Sequence, residues 1–394
     1  MPEDHQERWI AQRMRSIDAS GIRKVFELAR SLKDPVNLSI GVPDFDVPEP
    51  IKTAAKAAID RGANAYTMTQ GIPELRAKIQ ADLQARYRHA DREVFLTSGT
   101  SGGILLALCC TVNPGDEVVL FDPYFVMYPH LVTLAGGTSV FVDTYPDFQI
   151  DVARVRAALS PRTKAIIVNS PANPTGMQHT HTCLRELAEL AKEKSILLMS
   201  DEVYRVFSHD EPFCSPCEFN DDVLAFDGFS KAYAMTGWRL GFAHGPRRVI
   251  QEMIKLQQFS FVCAPSMVQQ AGVVAWDYDV SAHVADYRKK RDRLYAGLKD
   301  RFRVVKPGGA FYMFPEAPWG SGTEFVAEAI RNNLLMIPGN TFSRRDTHFR
   351  LSYAAKDETI ERGIEILNRI ARGVSGGNQY QRRLALGDRR CGGQ

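Results

Sequence analysis

The chemistry-bearing residues of this chain cluster in a few short segments. Asn169-Ser-Pro-Ala-Asn173-Pro-Thr-Gly176, Ser200-Asp201-Glu-Val-Tyr204 and Asp227-Gly-Phe-Ser230-Lys231 each follow a short apolar run, and Met235-Thr-Gly-Trp-Arg239 comes soon after the third. Ser98-Gly99-Thr100-Ser101-Gly102 lies between the apolar runs Val94–Thr97 and Ile104–Cys110. A Gly-rich turn opening a helix offers backbone N–H groups and the positive end of the helix dipole, so Gly99, Thr100 and Ser101 suit a phosphate. Lys231 carries an amine that can act as nucleophile or base. Taken singly, each feature has an ordinary explanation. Asn-Pro-Thr-Gly makes a turn, Asp201 can cap a strand end, and a lysine is usually a solvated charge. Their joint occurrence on successive strand ends is what calls for a functional reading. Cys214 and Cys217 form a CxxC, but no second CxxC or HxxxH lies nearby in the sequence, so no metal centre is expected.

These segments need a frame to hold them. Apolar runs at 94–97, 117–121, 139–142, 165–168, 196–199, 223–226 and 240–243 predict seven strands. Several are apolar on successive residues, as in strands buried on both faces. Amphipathic stretches such as 183–195 separate many of them, which predicts a mostly parallel sheet covered by helices. In such sheets ligands bind beyond the carboxyl ends of the strands, where the polar segments lie. Outside this block the pattern predicts an amphipathic helix over 9–33 with a break near Ser20-Gly21, and helices over 280–302, 322–332 and 357–372. Short strands are expected at 303–305, 310–314 and 348–352. The expected architecture is α/β: a large domain over 47–280 and a smaller α+β domain assembled from 1–46 and 281–375. A flexible tail is expected over 376–394.

Composition narrows the classes of function. Of 394 residues 44% are hydrophobic and 24% charged, ordinary for a globular protein. The net charge is +3, and the tail alone holds Arg382, Arg383, Arg389 and Arg390 against Asp388, leaving the body near neutrality. That argues against a nucleic-acid-binding face. The longest apolar run, Ile104–Cys110, is too short to span a bilayer, and the first residues lack the apolar stretch of a secretory signal. A cytoplasmic protein without membrane attachment is expected.

The chain resembles the class I pyridoxal-phosphate aminotransferases of fold type I, in the branch holding aspartate, aromatic and broad-range members. The resemblance runs from about residue 17 to about 371. Gly41-Val-Pro-Asp-Phe-Asp46, Tyr66-Thr-Met-Thr-Gln-Gly71, Asn173-Pro-Thr-Gly176, Ser200-Asp-Glu-Val-Tyr204, Ser230-Lys-Ala-Tyr-Ala-Met-Thr-Gly-Trp-Arg239 and Phe349-Arg-Leu-Ser-Tyr353 carry it. It implies that Lys231 holds pyridoxal phosphate as a Schiff base, then serves as the base that moves a proton from the substrate Cα. Asp201 would favour the protonated ring nitrogen, which makes the ring a better electron sink. Asn173 and Tyr204 would donate to the ring oxygen, and Phe125 would stack on the ring face. Gly99, Thr100, Ser101, Ser230 and Arg239 would hold the phosphate; where many relatives carry a further serine this chain has Gly228. Arg350 would take the substrate's α-carboxylate bidentately, with Gly41 and Asn173 beside it. Tyr66 would reach the phosphate of a neighbouring subunit, which implies a homodimer with shared sites.

The resemblance implies transfer of an amino group between an L-amino acid and a 2-oxo acid such as 2-oxoglutarate, with aspartate favoured as donor and aromatic amino acids next. An alternative keeps the cofactor and changes the reaction, as in a C–S β-lyase. A regulatory module on the same fold is disfavoured, because the stretch ahead of the main block is too short for an added DNA-binding domain.

Overall fold

The computed structural model describes residues 5–17, 32–87 and 91–372. Its twelve strands among these residues are β1 (Val36–Asn37), β2 (Arg92–Ser98), β3 (Glu117–Asp122), β4 (Thr138–Asp143), β5 (Thr163–Asn169), β6 (Leu197–Asp201), β7 (Leu224–Gly228), β8 (Leu240–Pro246), β9 (Tyr312–Met313), β10 (Leu334–Leu335), β11 (Ile337–Pro338) and β12 (Phe349–Ser352).

All seven strands expected for the large sheet are present, in the order β2-β8-β7-β6-β5-β3-β4. Every pairing is parallel except those of β8, which runs antiparallel to both β2 and β7. The continuous apolar runs are explained by burial on both faces: β3 and β7 are buried at every residue. One face packs on the helices Pro73–Arg86 and His181–Glu193, the other on Gly99–Thr111 and Arg247–Gln258. Gly99–Thr111 is apolar nearly all round, as suits a helix with little solvent-facing surface. Asp201, the end of β6, and Gly228, the end of β7, lie at the carboxyl edge of the sheet.

A second apolar cluster forms from Val36 and Leu38, the helix Ser281–Leu298, the strands β9, β10 and β12, and the helix Asp357–Arg372. Its strands pair as antiparallel β11-β12-β9 and parallel β1-β10, with Leu335 and Ile337 packing into a neighbouring apolar cluster around Phe148 and Phe314. Residues from both ends of the chain thus share one core.

Several expectations need correction. Residues 303–305 form no strand. Ala310 takes a left-handed φ of 55°, which cuts the expected strand over 310–314 to Tyr312–Met313. In the 9–33 segment the described part is a 3-10 helix, Gln12–Ser16, rather than an amphipathic α-helix. Trp9, Ile10 and Met14 stay exposed, so no packed face stabilises a longer helix there. The rest of that segment, over 18–31, and the tail over 376–394 lie outside the described residues. Among the described residues no helix is long and apolar enough to cross a membrane.

Candidate active site

The carboxyl edge of the large sheet and the second core meet around Lys231. This lysine sits not on an open loop but in a single helical turn, Phe229–Ala232, directly after β7. Its Nζ donates to the carbonyl oxygen of Gly41 at 2.7 Å, and the rings of Tyr204 and Phe311 lie 5.8 and 5.9 Å away. Burial, followed by the nearby charges of Arg350 and Arg239, pushes its amine down to about 8 from the usual lysine range. A lysine so placed is partly neutral near physiological pH, as a nucleophile or base requires.

Asp201 is buried at the end of β6. Its Oδ2 accepts the Tyr128 hydroxyl at 2.6 Å, and its Oδ1 accepts the backbone N–H of Val203 at 3.3 Å. Burial still raises the carboxyl to about 6, against the lowering by these two donors. A cation or an N–H donor placed against it would restore its charge. Asn169 steadies the same strand end, with its Nδ2 donating to the Asp201 carbonyl at 2.9 Å.

Arg350 lies on β12 and is 1% exposed. Its Nη1 donates to Asn173 Oδ1 and its Nη2 to the Ser39 carbonyl, each at 2.9 Å. The guanidinium carbon is 4.6 Å from the centroids of both Tyr312 and Phe342, so two rings hold its plane. Its Nε is buried without a partner. Among the described residues no carboxylate pairs with this fully buried guanidinium, an arrangement that is costly and that an incoming anion would relieve. Asn173 also receives support: its backbone N–H donates to Asn169 Oδ1 at 2.8 Å. The hydroxyls of Tyr204 and Tyr312 are hydrogen-bonded at 2.9 Å. A Cβ at Gly41 would sit 2.6 Å from the Tyr312 hydroxyl, so only glycine lets that backbone come so close.

The Gly99–Thr111 helix starts beside Arg239. Arg239 Nη2 donates to Ser101 Oγ at 2.9 Å and Nη1 to the Thr236 carbonyl at 2.9 Å. Gly99 has φ +69°, and a side chain there would overlap the Arg239 guanidinium. Thr100 Oγ1 is buried and unpartnered, and Ser230 is buried beside Lys231. Helix N–H groups, an arginine and an idle hydroxyl form an anion cradle. Gly228 has a packing reason: a Cβ there would lie 3.0 Å from both Gly241 Cα and Thr100 Oγ1. Phe125 lines a cavity with Tyr128, Asn169 and Asn173. Tyr66 is 82% exposed and stands apart from this group.

The family model described as aminotransferase class I and II matches residues 33–367. The chain belongs to this family. It is a pyridoxal-phosphate-dependent aminotransferase of fold type I, in the aspartate and aromatic branch. A probable aspartate aminotransferase of Methanocaldococcus jannaschii is 38% identical over 374 residues, covering 92% of this chain and 99% of the relative. Aromatic-amino-acid aminotransferase 2 of Thermococcus litoralis is 33% identical, covering 92% and 98%. The solved aspartate aminotransferase of Thermus thermophilus with maleate superposes with a TM-score of 0.87 at 34% identity, covering 92% and 99%. The aminotransferase's cofactor fits the residues present. Thr100 Oγ1 lacks a partner that a phosphate would supply, and among the described residues Asp201 has no ion pair, a place that a pyridinium would fill.

Sequence reasoning missed Tyr128, Tyr312 and Phe342 as members of this aminotransferase site, and named Asn169 only as the start of the segment Asn169–Gly176. Tyr128 lies one helical turn beyond Phe125, a spacing that could have flagged it. Tyr312 reaches Arg350 through the pairing of β9 with β12, and Phe342 through the turn between β11 and β12.

Proposed function

We propose that aspartate is the favoured amino donor of this aminotransferase, with aromatic amino acids next and a 2-oxo acid such as 2-oxoglutarate as acceptor. The reading rests chiefly on the buried, ring-clamped Arg350 facing the Lys231 region, since it selects a substrate carrying an α-carboxylate. Similarity to relatives named for aspartate and for aromatic amino acids supports the donor order.

In this reading Arg350 binds the α-carboxylate with a bidentate pair, and Asn173 and Gly41 orient the substrate against Lys231. The cofactor supplies an electron sink for the electrons left on Cα. Asp201, held by Tyr128, would favour a proton on the ring nitrogen, and Tyr204 and Asn173 would donate to the ring oxygen. Phe125 would stack on the ring. Gly99, Thr100, Ser101, Ser230 and Arg239 would hold the phosphate. With the cofactor bound, Lys231 Nζ would be the group that takes the Cα proton, and its lowered basicity matches that task near neutral pH.

The assembly we propose is a homodimer in which Tyr66 completes the partner's phosphate site. Tyr66 and Met68 are exposed, as are Phe259, Phe261 and Val262, and a Cβ on Gly102 beside the cradle would touch Phe261 at 3.7 Å. Exposed apolar residues of this kind mark an interface. Residues 47–280 form the cofactor domain in this reading, 1–46 with 281–375 the smaller one, and the enzyme works in the cytoplasm.

The test is a panel of amino acids mixed with 2-oxoglutarate, with kcat/KM measured for each and with Lys231→Ala as control. Aspartate ranking first, and loss of borohydride-trappable cofactor in Lys231→Ala, are expected. A donor outside the aspartate and aromatic classes ranking first would overturn the substrate reading.

A further inference from the structure

The CxxC sequence pattern, Cys214 and Cys217, looks incomplete as a metal site, and the fold changes which residues stand beside it. Among the described residues one group of metal-ligand types gathers outside the catalytic edge: His181, Cys214 and Glu218. One ligand atom from each lies within 4.8 Å of the others. Cys217 is fully buried and takes no part. His181 is the first residue of the helix His181–Glu193, whose N-cap is Thr180. Cys214 lies just before a 3-10 turn at 216–218, and Glu218 is that turn's last residue.

The cluster is ordered before any ion arrives. Glu218 Oε1 accepts the backbone N–H of Ser215 at 3.0 Å, half of a capping box completed by Ser215 Oγ. The His181 ring packs edge-on against Phe219, with centroids 4.8 Å apart. The Cys214 thiol makes a long contact, 3.9 Å, to the Ser215 carbonyl and interacts with the Glu218 carboxylate, so two of the three ligand groups already stand together. His181 and Glu218 are exposed and Cys214 half-buried, which leaves a path for an incoming ion. The adjoining cavity is lined also by His179, Asp210 and Glu211. Asp210 is already matched by Arg291, at 2.5 and 2.9 Å, so it does not compete for the ion.

We propose that His181, Cys214 and Glu218 form a divalent-metal site for zinc or a similar borderline ion, with solvent in the fourth position. Imidazole, thiolate and carboxylate are the three protein ligand types zinc accepts. One thiolate and one carboxylate neutralise a divalent charge, and binding releases the Cys214 proton to solvent. Tetrahedral ligands at about 2.0–2.3 Å from zinc stand about 3.5 Å from one another. Shifts on the order of 1 Å shared among the three side chains bring them from within 4.8 Å to that spacing. The ion would staple the 214–218 turn to the start of the helix that follows the Asn173–Gly176 segment. This is a positioning role, separate from the transamination chemistry.

Co(II) titration of the metal-stripped holoenzyme tests the proposal. Wild type is expected to bind one equivalent with a thiolate-to-cobalt charge-transfer band and the ligand-field intensity of four-coordination. Cys214→Ser is expected to lose the charge-transfer band, while Cys217→Ser retains it. His181→Ala and Glu218→Gln are expected to weaken binding on the order of 10–100-fold or more. Because both of those side chains are exposed, these variants fold and keep the test decisive even if Cys214→Ser is unstable. The absence of a one-equivalent band in wild type would overturn the site, as would its survival in Cys214→Ser or full affinity in His181→Ala.

Discussion

Tyr128 Oη donates a 2.6 Å hydrogen bond to Asp201 Oδ2 inside a fully buried pocket, and it is the one side chain bonded to that carboxylate among the described residues. The bond lowers the carboxyl while burial raises it, and burial wins, leaving Asp201 at about 6. Tyr128→Phe removes the opposing donor, so the carboxyl rises further. Because the ionised form supports catalysis, the acidic limb of the kcat–pH profile should move to higher pH, with kcat lowered about 10-fold near neutrality. A profile that does not move would deny Asp201 its electrostatic role.

The same burial makes the cofactor-free protein pH-sensitive. Asp201 at about 6 and Glu202 at about 7 are both raised by burial above the ordinary carboxyl range. Raised carboxyls hold their protons in the folded chain after the unfolded chain has released them. Their stabilising contribution is therefore complete below about pH 4 and is lost as pH rises through 6 to 7. The loss is about 3 kcal/mol per group. Urea unfolding of the cofactor-free enzyme between pH 5 and 8 should show this slope, and Asp201→Asn should flatten it by roughly one group's share.

Cofactor loading should follow the ionisation of Lys231. Only the neutral amine attacks an aldehyde, and the lysine's lowered position at about 8 means that the neutral fraction grows as pH rises towards and through 8. The rate of covalent reconstitution with pyridoxal phosphate should climb over that interval and level off above it. In Arg350→Met, which removes one of the two depressing charges, the inflection should move to higher pH. An inflection near the ordinary lysine range in the wild type would contradict the burial argument.

Arg350→Lys tests the carboxylate receptor. A lysine keeps the charge but loses the planar fork that Tyr312 and Phe342 clamp and that reaches Asn173 and Ser39. Losing the bidentate pair should cost about 2–3 kcal/mol, or about 30–150-fold in kcat/KM for amino acids. An amine substrate lacking the carboxylate should be affected far less, and an equal loss for both would point to a structural defect instead.

Much of this enzyme could be read directly from the order of its residues. Continuous apolar runs such as Val118–Phe121 and Val223–Phe226 announce strands buried on both faces, because burial on both sides disfavours polar residues away from the strand ends. The segments around Gly99, Asp201, Lys231 and Arg239 were legible for a similar local reason: turns, helix starts and strand ends demand particular residue types within a few positions. What the sequence could not decide was company across the chain. Tyr128 meets Asp201, 73 residues away; Arg350 meets Asn173, 177 away; and Lys231 reaches the Gly41 carbonyl, 190 away. His181 likewise comes to stand beside Cys214 and Glu218. Packing of helices and small-core strands against the sheet sets those meetings. The same packing decides which polar groups are buried, and so how far Lys231 and Asp201 are moved from their ordinary ionisation.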